Sequence, residues 1–82
     1  MSTRLIHIGF GNYLSTDRIV AITGPGSAPI KRSIQDARDK GLVIDLTNGH
    51  RTKSVIFTDC KYIVLVALEP VTIDGRMANT GG

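Results

Sequence analysis

The segment TNGHRTK, residues 47–53, places three basic side chains directly after an Asn-Gly pair. Asn48 and Gly49 suit the positive φ angles of a two-residue type I′ turn, and the strand-like segments LVIDL and TKSVIF flank them. The sequence therefore predicts a β-hairpin with a basic tip. Its basic side chains are His50, Arg51 and Lys53. In a single copy they serve equally well as a phosphate-binding site or as surface charge that blunts a strand edge.

The positive charge is concentrated in the middle of the chain. Residues 31–53 carry six Lys or Arg and three Asp, and so contribute the whole net charge of +3. Residues 1–30 have a net charge of +1 and residues 54–82 of −1. An excess of this size is compatible with many proteins, so a polyanionic partner needs geometric support as well.

A helix is predicted over residues 28–40. Ser27 is a good N-cap, Pro29 is tolerated in the first turn, and Gly41 suits the C-terminal cap. An apolar stripe that should lie on a sheet consists of Ile30, Ile34 and Ala37. On the exposed side of the helix, Arg32, Asp36 and Lys40 follow each other at intervals of four residues, so their charges can pair. Because Ser27 and Pro29 fix where the helix begins, they also orient Lys31 and Arg32 near its start. Both residues are therefore candidates for phosphate contacts.

The strands predict a sheet that one helix cannot cover. RLIHIGF alternates as a first strand, and RIVAI, opened by Arg18, is predicted to pair with it. CKYIVLVAL, residues 60–68, is apolar at nearly every position from Tyr62, as in a strand buried on both faces. We therefore expect an α+β fold in which one main helix covers one face of a mostly antiparallel sheet of four to five strands. The other face would need a second subunit, which predicts a homo-oligomer.

The length of 82 residues predicts one domain. We place a single oligomerisation domain, which also carries the candidate phosphate contacts, at residues 1–70 and a C-terminal tail at 71–82, where a short helix can precede a disordered end. No signal peptide or membrane-spanning run is visible, and a lone Cys60 fits a reducing cytoplasm.

Enzymatic functions find little support in the sequence. GFG, residues 9–11, lacks the third glycine of a dinucleotide site, and GPGSAPIKR lacks the GK[ST] ending of a P-loop. Two His and one Cys cannot build a four-ligand zinc site from His and Cys alone. We expect neither an enzyme nor a bound cofactor, metal ion or small-molecule substrate.

Four segments in combination resemble the RemA family of small bacterial regulators of extracellular-matrix genes. They are SAPIKRSIQDARDKG, LVIDLT, NGHRTKSVIF and YIVLVAL, and the resemblance covers about residues 4–70. It implies duplex DNA as the partner, with sheet elements and loops approaching DNA as in LytTR-type domains. It also implies a closed ring with cations toward the DNA, with an octamer as one candidate size. The resemblance further implies that the protein is cytoplasmic and associated with the nucleoid. It implies that the protein regulates extracellular-matrix and biofilm genes.

The resemblance points to Arg18 and Arg51 as DNA contacts. The family pattern has two arginines after the turn glycine, whereas this chain has His50 and Arg51. A neutral histidine attracts phosphate weakly, although a bound phosphate raises its protonated fraction, and Lys53 is available to compensate. The alternative role for Arg18 is an ion pair at a strand end, with Asp17 or Asp45.

The sequence thus predicts a DNA-binding transcriptional regulator acting as a homo-oligomer. The alternative is an oligomeric scaffold or a module that binds RNA or protein, with the cations as surface charge. RNA is disfavoured because the four aromatic side chains show no clear stacking platform in the sequence. They are Phe10, Tyr13, Phe57 and Tyr62.

Overall fold

The computed structural model describes residues 4–80, which form a small α+β fold. Its strands are β1 (Leu5–His7), β2 (Tyr13–Ser15), β3 (Ile19–Thr23), β4 (Val43–Asp45), β5 (Ser54–Thr58) and β6 (Ile63–Val66), and its helices are α1 (Ala28–Asp39) and α2 (Pro70–Thr80). A four-stranded sheet has the order β3-β5-β6-β4, and β1 and β2 form a separate antiparallel pair. The end that we expected to be disordered is Thr80-Gly81-Gly82: Thr80 is the last residue of α2, and the two glycines lie outside the described residues.

The N-terminal pairing differs from the prediction. The partner of β1 is β2, because the chain already reverses at residues 8–12, where Gly9, Phe10 and Gly11 all have positive φ angles. The prediction that RIVAI pairs with the first strand is therefore wrong. It forms β3, which pairs antiparallel with β5 and begins with Ile19 opposite Thr58.

The predicted hairpin between β4 and β5 is also wrong, although its turn forms. β6 lies between these two strands, parallel to β4 and antiparallel to β5. All four residues of β6 are buried. An apolar strand loses most contact with water at an interior position of the sheet, and this favours β6 between β5 and β4. An Asn-Gly pair indicates that the chain turns, but it does not determine which strand pairs with the strands on either side of the turn.

Helix α1 confirms the predicted caps. The Ser27 hydroxyl accepts a hydrogen bond from the Ile30 amide at 3.3 Å. At the other end, Gly41 has a φ of +72°, and the Leu42 amide donates to the Ala37 carbonyl at 2.8 Å, as in a Schellman motif. The helix therefore begins and ends where local signals place it.

Each face of the four-stranded sheet has its own apolar core. The first core consists of the buried residues Ala37 of α1 and Val55, Ile63 and Leu65 of the sheet, and the other predicted stripe residues, Ile30 and Ile34, pack beside them. On the opposite face the buried core consists of Ile6, Ile8, Ile56, Val64, Val66 and Ile73. The second core combines residues from the β1–β2 hairpin, the sheet and α2.

Helix α2 corrects the expectation of a single covering helix. Its Ile73 is fully buried, and the Arg76 guanidinium donates to the His7 carbonyl at 2.7 Å, which ties α2 to β1. The face that we expected to need another subunit is covered within the chain. Self-association therefore cannot be inferred from an uncovered sheet face. In the described part of the chain, no helix is long and apolar enough to cross a membrane.

Candidate nucleic-acid interface

The sheet register divides the six predicted contact residues between two ends of the molecule. Lys53 directly precedes β5, at the end that carries the Asn-Gly turn, which we call the turn end. Arg18 directly precedes β3, which starts opposite Thr58, the last residue of β5. The five residues of β5 therefore separate the two cations, by roughly 16 Å of extended chain.

The turn itself has the predicted backbone conformation. Asn48 and Gly49 have φ angles of 55° and 83°, and the His50 amide donates to the Thr47 carbonyl at 3.0 Å. Two successive positive φ angles are typical of a type I′ turn, which only residues such as Asn and Gly adopt at low cost. The turn thus presents the following residues, His50 and Arg51, at the surface.

Asp45 anchors the base of this turn. One of its carboxylate oxygens accepts hydrogen bonds from the Thr47 hydroxyl at 2.6 Å and from the Thr47 amide at 2.9 Å. These bonds, the hydroxyl first, lower the pKa of Asp45 below its ordinary value of 3.8, with a smaller contribution from Arg38. A lowered pKa means that this stabilisation is complete above pH 3.8 and is lost as the pH falls further. The turn is therefore fully anchored at neutral pH.

Arg51 and Lys53 are exposed cations on an ordered backbone. The Lys53 amide donates to the Val66 carbonyl at 2.9 Å, which holds the segment against β6. Both residues precede β5, so Lys53 lies in the connecting segment, although TKSVIF is predicted to be strand-like. Across residues 4–80, the ion pairs found involve neither of them. Their charges remain available to an anionic partner.

His50 is held by an aromatic neighbour from the other sheet. Its ring stacks on Phe10, with centroids 5.0 Å apart and planes inclined by 17°. Phe10 lies at the tip of the β1–β2 hairpin, has a φ of 54° and is 49% exposed. The hairpin tip therefore forms part of the same surface as the turn.

The start of α1 adds two exposed cations toward the same end of the sheet. β3 ends with Thr23 opposite Val55, near the beginning of β5, so α1 starts from the turn end. Lys31 and Arg32 lie in the first two turns of α1, and both are exposed. Asp36, a predicted partner of Arg32, binds Lys40 at 3.1 Å. Five of the six predicted contacts thus lie toward one end of the sheet.

Arg18 is separate from this cluster and forms an ion pair. A nitrogen of its guanidinium lies 3.4 Å from a carboxylate oxygen of Asp59, in the β5–β6 turn. Arg18 thus forms an ion pair at a strand end, as the alternative interpretation predicts. The partner in this pair is Asp59, whereas the predicted partners are Asp17 and Asp45. The two side chains are 62% and 46% exposed, so solvent screens the pair strongly. The pair competes with any other anion for Arg18.

Asp59→Asn is expected to strengthen duplex DNA binding about two- to fivefold if Arg18 contacts DNA, because an exposed ion pair contributes at most about 1 kcal/mol. Fluorescence anisotropy with a labelled duplex measures the effect. Asp39→Asn is the matched control, since it removes the same charge from a carboxylate that accepts from the uncharged Gln35 amide. An equal gain in both variants would show that only net charge matters and that Arg18 makes no contact.

Two participants were missed from the sequence. Asp59 lies 41 residues after Arg18, and nothing local signals the contact. Phe10 is not among the residues predicted for the site, although its position between two turn glycines is a signal that its ring is presented at a hairpin tip. Within the described range, no group of three or more His, Cys, Asp and Glu is placed to hold a metal ion.

Comparison with known proteins places this arrangement in a class of small regulators. The model of the RemA-like family, described as extracellular matrix regulatory protein A-like, matches residues 5–77. A protein of Dehalococcoides mccartyi strain BAV1 is 57% identical over 82 residues, which cover 100% of this chain and 85% of the relative. A protein of Clostridium novyi is 53% identical over 79 residues, covering 96% of this chain and 88% of the relative. Both carry names that provisionally describe a regulatory protein.

The chain belongs to the RemA-like family. The match extends beyond the segments quoted above and includes most of α2, in agreement with the burial of Ile73 in the core.

Proposed function

We propose that this protein is a DNA-binding transcriptional regulator that acts as a homo-oligomer. The main support for the proposal is a group of exposed cations toward the turn end, which form no ion pair within residues 4–80. They are Lys31, Arg32, Arg51 and Lys53. Cations on ordered backbone bind phosphates with release of counterions, and several of them toward one end of the sheet suit an extended polyanion better than a single small anion. Family membership and the names of the relatives support a regulatory role and point away from catalysis.

The proposed mechanism uses the turn end as the phosphate-binding surface. The Asn-Gly turn and the β1–β2 tip project His50 and Arg51, Lys53 follows on the segment held by β6, and α1 contributes its first two turns. Loops and sheet ends would thus approach the duplex, in the manner of LytTR-type domains. Arg18 adds a contact if the duplex runs along β5, or if assembly brings one copy's Arg18 beside the turn end of the next.

Self-association is proposed from the sheet edges, because the uncovered face is no longer an argument. In the described part of the chain, β3 and β4 are the edge strands of the four-stranded sheet. Val20 of β3 is 67% exposed and lines a groove against α2, whose Val71 is 75% exposed, while Ile44 of β4 is 40% exposed. An edge-to-edge contact between β3 of one copy and β4 of the next is heterologous, and such contacts close into rings when the rotation permits.

A salt series tests DNA binding. Labelled duplex DNA, single-stranded RNA of equal length and a buffer blank are titrated between about 50 and 200 mM salt, the range in which phosphate contacts lose most affinity. Tight duplex binding with a steep salt slope supports the proposal. Binding of RNA in preference to the duplex, or of neither, would favour the scaffold or RNA-module alternative.

Light scattering tests assembly. A mass well above the 8.8 kDa of one chain is expected for the wild type, and Val20→Glu should return the protein toward the monomer. Leu5→Glu is the matched control, because Leu5 is 60% exposed but lies outside the β3–α2 groove. A wild-type mass of 8.8 kDa at micromolar concentration would contradict the proposed homo-oligomer.

A further inference from the structure

The stack between Phe10 and His50 is unexplained by core packing. Phe10 is 49% exposed, and its backbone adopts the left-handed region at φ 54°, which is uncommon for a bulky residue. The Asn12 amide and the Asn12 side chain both donate to the Gly9 carbonyl, at 3.0 and 3.1 Å, and hold the tip in this conformation. Backbone strain that the surroundings maintain concentrates at functional sites.

The stack has a specific effect on an imidazole. A ring lying nearly parallel on Phe10 has one face covered and a restricted orientation, while His50 as a whole remains exposed. A nearby phosphate favours the protonated form of an imidazole. Phe10 would therefore fix the orientation of the ring, and a bound phosphate would favour its protonated form.

We propose that Phe10 is a positioning residue that holds His50 for contact with a DNA phosphate, so that DNA binding is linked to proton uptake by His50. This inference rests on the proposed function and adds a form of regulation to it, namely tighter binding as the pH falls. It also assigns the β1–β2 hairpin a part in recognition, which the cation pattern alone does not.

Charged groups of both signs lie near His50 in the chain. On its own segment, Arg51 and Lys53 are positively charged, and Asp45 at the base of the turn is negatively charged. From the β1–β2 hairpin, Phe10 is uncharged, and His7 is the last residue of β1, next to the tip, where its ring contacts Arg76 and the Gly11 amide. His7 is thus a second titratable group, and the test must separate its contribution from that of His50.

Duplex DNA affinity is measured at constant salt from pH 5.5 to 8, the range in which histidines titrate. The variants are Phe10→Leu, His50→Gln and the double variant. Wild-type affinity should fall as the pH rises, by up to about tenfold per pH unit for each engaged His50. His50→Gln should lose this slope, while any slope that it keeps belongs to His7. Phe10→Leu should flatten the slope, and it should have no further effect in the His50→Gln background.

Two rescue variants distinguish positioning from general structure. Phe10→Tyr keeps the ring and should behave as wild type, and His50→Arg should restore affinity at pH 8 without a pH dependence. Circular dichroism and unfolding midpoints confirm that each variant is folded, and a misfolded Phe10→Leu leaves Phe10→Tyr and His50→Gln to decide.

The contrary outcomes separate the two proposals. DNA binding with the same pH slope in wild type and His50→Gln would overturn the proton linkage. Full additivity of Phe10→Leu and His50→Gln would overturn the positioning role. Absence of DNA binding by the wild type at every pH would overturn the proposed function and this inference with it.

Discussion

Arg51→Ala is expected to weaken duplex DNA binding while leaving the fold and the assembly intact. The residue is exposed, precedes β5 and makes no ion pair within residues 4–80, so its loss removes no core contact. If it neutralises one phosphate in each engaged subunit, the slope of log affinity against log salt should flatten by about 0.9 for each subunit that touches DNA. Loss in every copy of a ring multiplies the effect.

Lys40→Gln is the matched control for this prediction. It removes one positive charge from a side chain that already binds Asp36 at 3.1 Å, so affinity and salt slope should barely change. Lys53→Ala should have a smaller effect than Arg51→Ala, and Arg18→Ala a comparable one. An Arg51→Ala protein of correct mass that retains wild-type affinity and salt slope would exclude the turn as the DNA-contacting element.

The same variant distinguishes two modes of recognition. A contact to phosphate weakens binding to every duplex alike, whereas a contact to a guanine edge carries discrimination between sequences. Comparing a cognate promoter fragment with a scrambled duplex of equal length therefore assigns the role of Arg51. A loss confined to the cognate fragment would indicate base recognition.

Ile73→Ala is expected to destabilise the domain by about 2 to 5 kcal/mol, because it empties a fully buried position where α2 meets the second core. Small domains have only about 5 to 15 kcal/mol of stability in total, so a substantial unfolded population is expected. Urea unfolding followed by circular dichroism measures the change at fixed protein concentration.

Thr72→Ala is the control for this prediction, since Thr72 is an exposed neighbour on the same helix. Its effect should stay within about 0.5 kcal/mol. Equal and small effects in both variants would mean that α2 is a dispensable appendage. A large difference would establish that the fold requires residues beyond position 70.

The sequence predicts α1 well because its signals are local. The N-cap, the C-terminal glycine and the apolar stripe all lie within the same short segment, and the two caps stabilise the helix without help from distant residues. The turn at Asn48 and Gly49 is predictable for the same reason. Strand order depends instead on competition among distant segments, and β6 takes the central place that the hairpin rule gave to a direct pairing of β4 with β5.

Helix α2 shows a different reason for failure. Gly75 and β-branched residues lower its intrinsic helix propensity, so its formation depends on burying Ile73 and packing Met77 on the core. Pro70 at the first helical position and the i, i+4 spacing of those two apolar residues were the available signals.

The candidate site was predicted only in part. The cations of residues 47–53 are evident because they are adjacent in sequence, and the α1 cations join them through the connection from β3. The Phe10–His50 stack joins residues 40 positions apart, and the Arg18–Asp59 pair joins residues 41 apart. Such contacts follow from the arrangement of strands, which the sequence alone left undecided.

The central position of β6 also determines the order in which the chain can fold. β3, β4 and β5 are synthesised first, but β4 has no partner until β6 emerges between it and β5, and the β1–β2 hairpin has no covering helix until α2 follows. Two of the sheet's three strand pairings, β3 with β5 and β4 with β6, join strands that are not consecutive in sequence, which slows folding. A nascent or truncated chain that ends before β6 exposes the apolar side of β5 and unpaired strand edges. The incomplete chain, more than the finished protein, is therefore the form prone to aggregate.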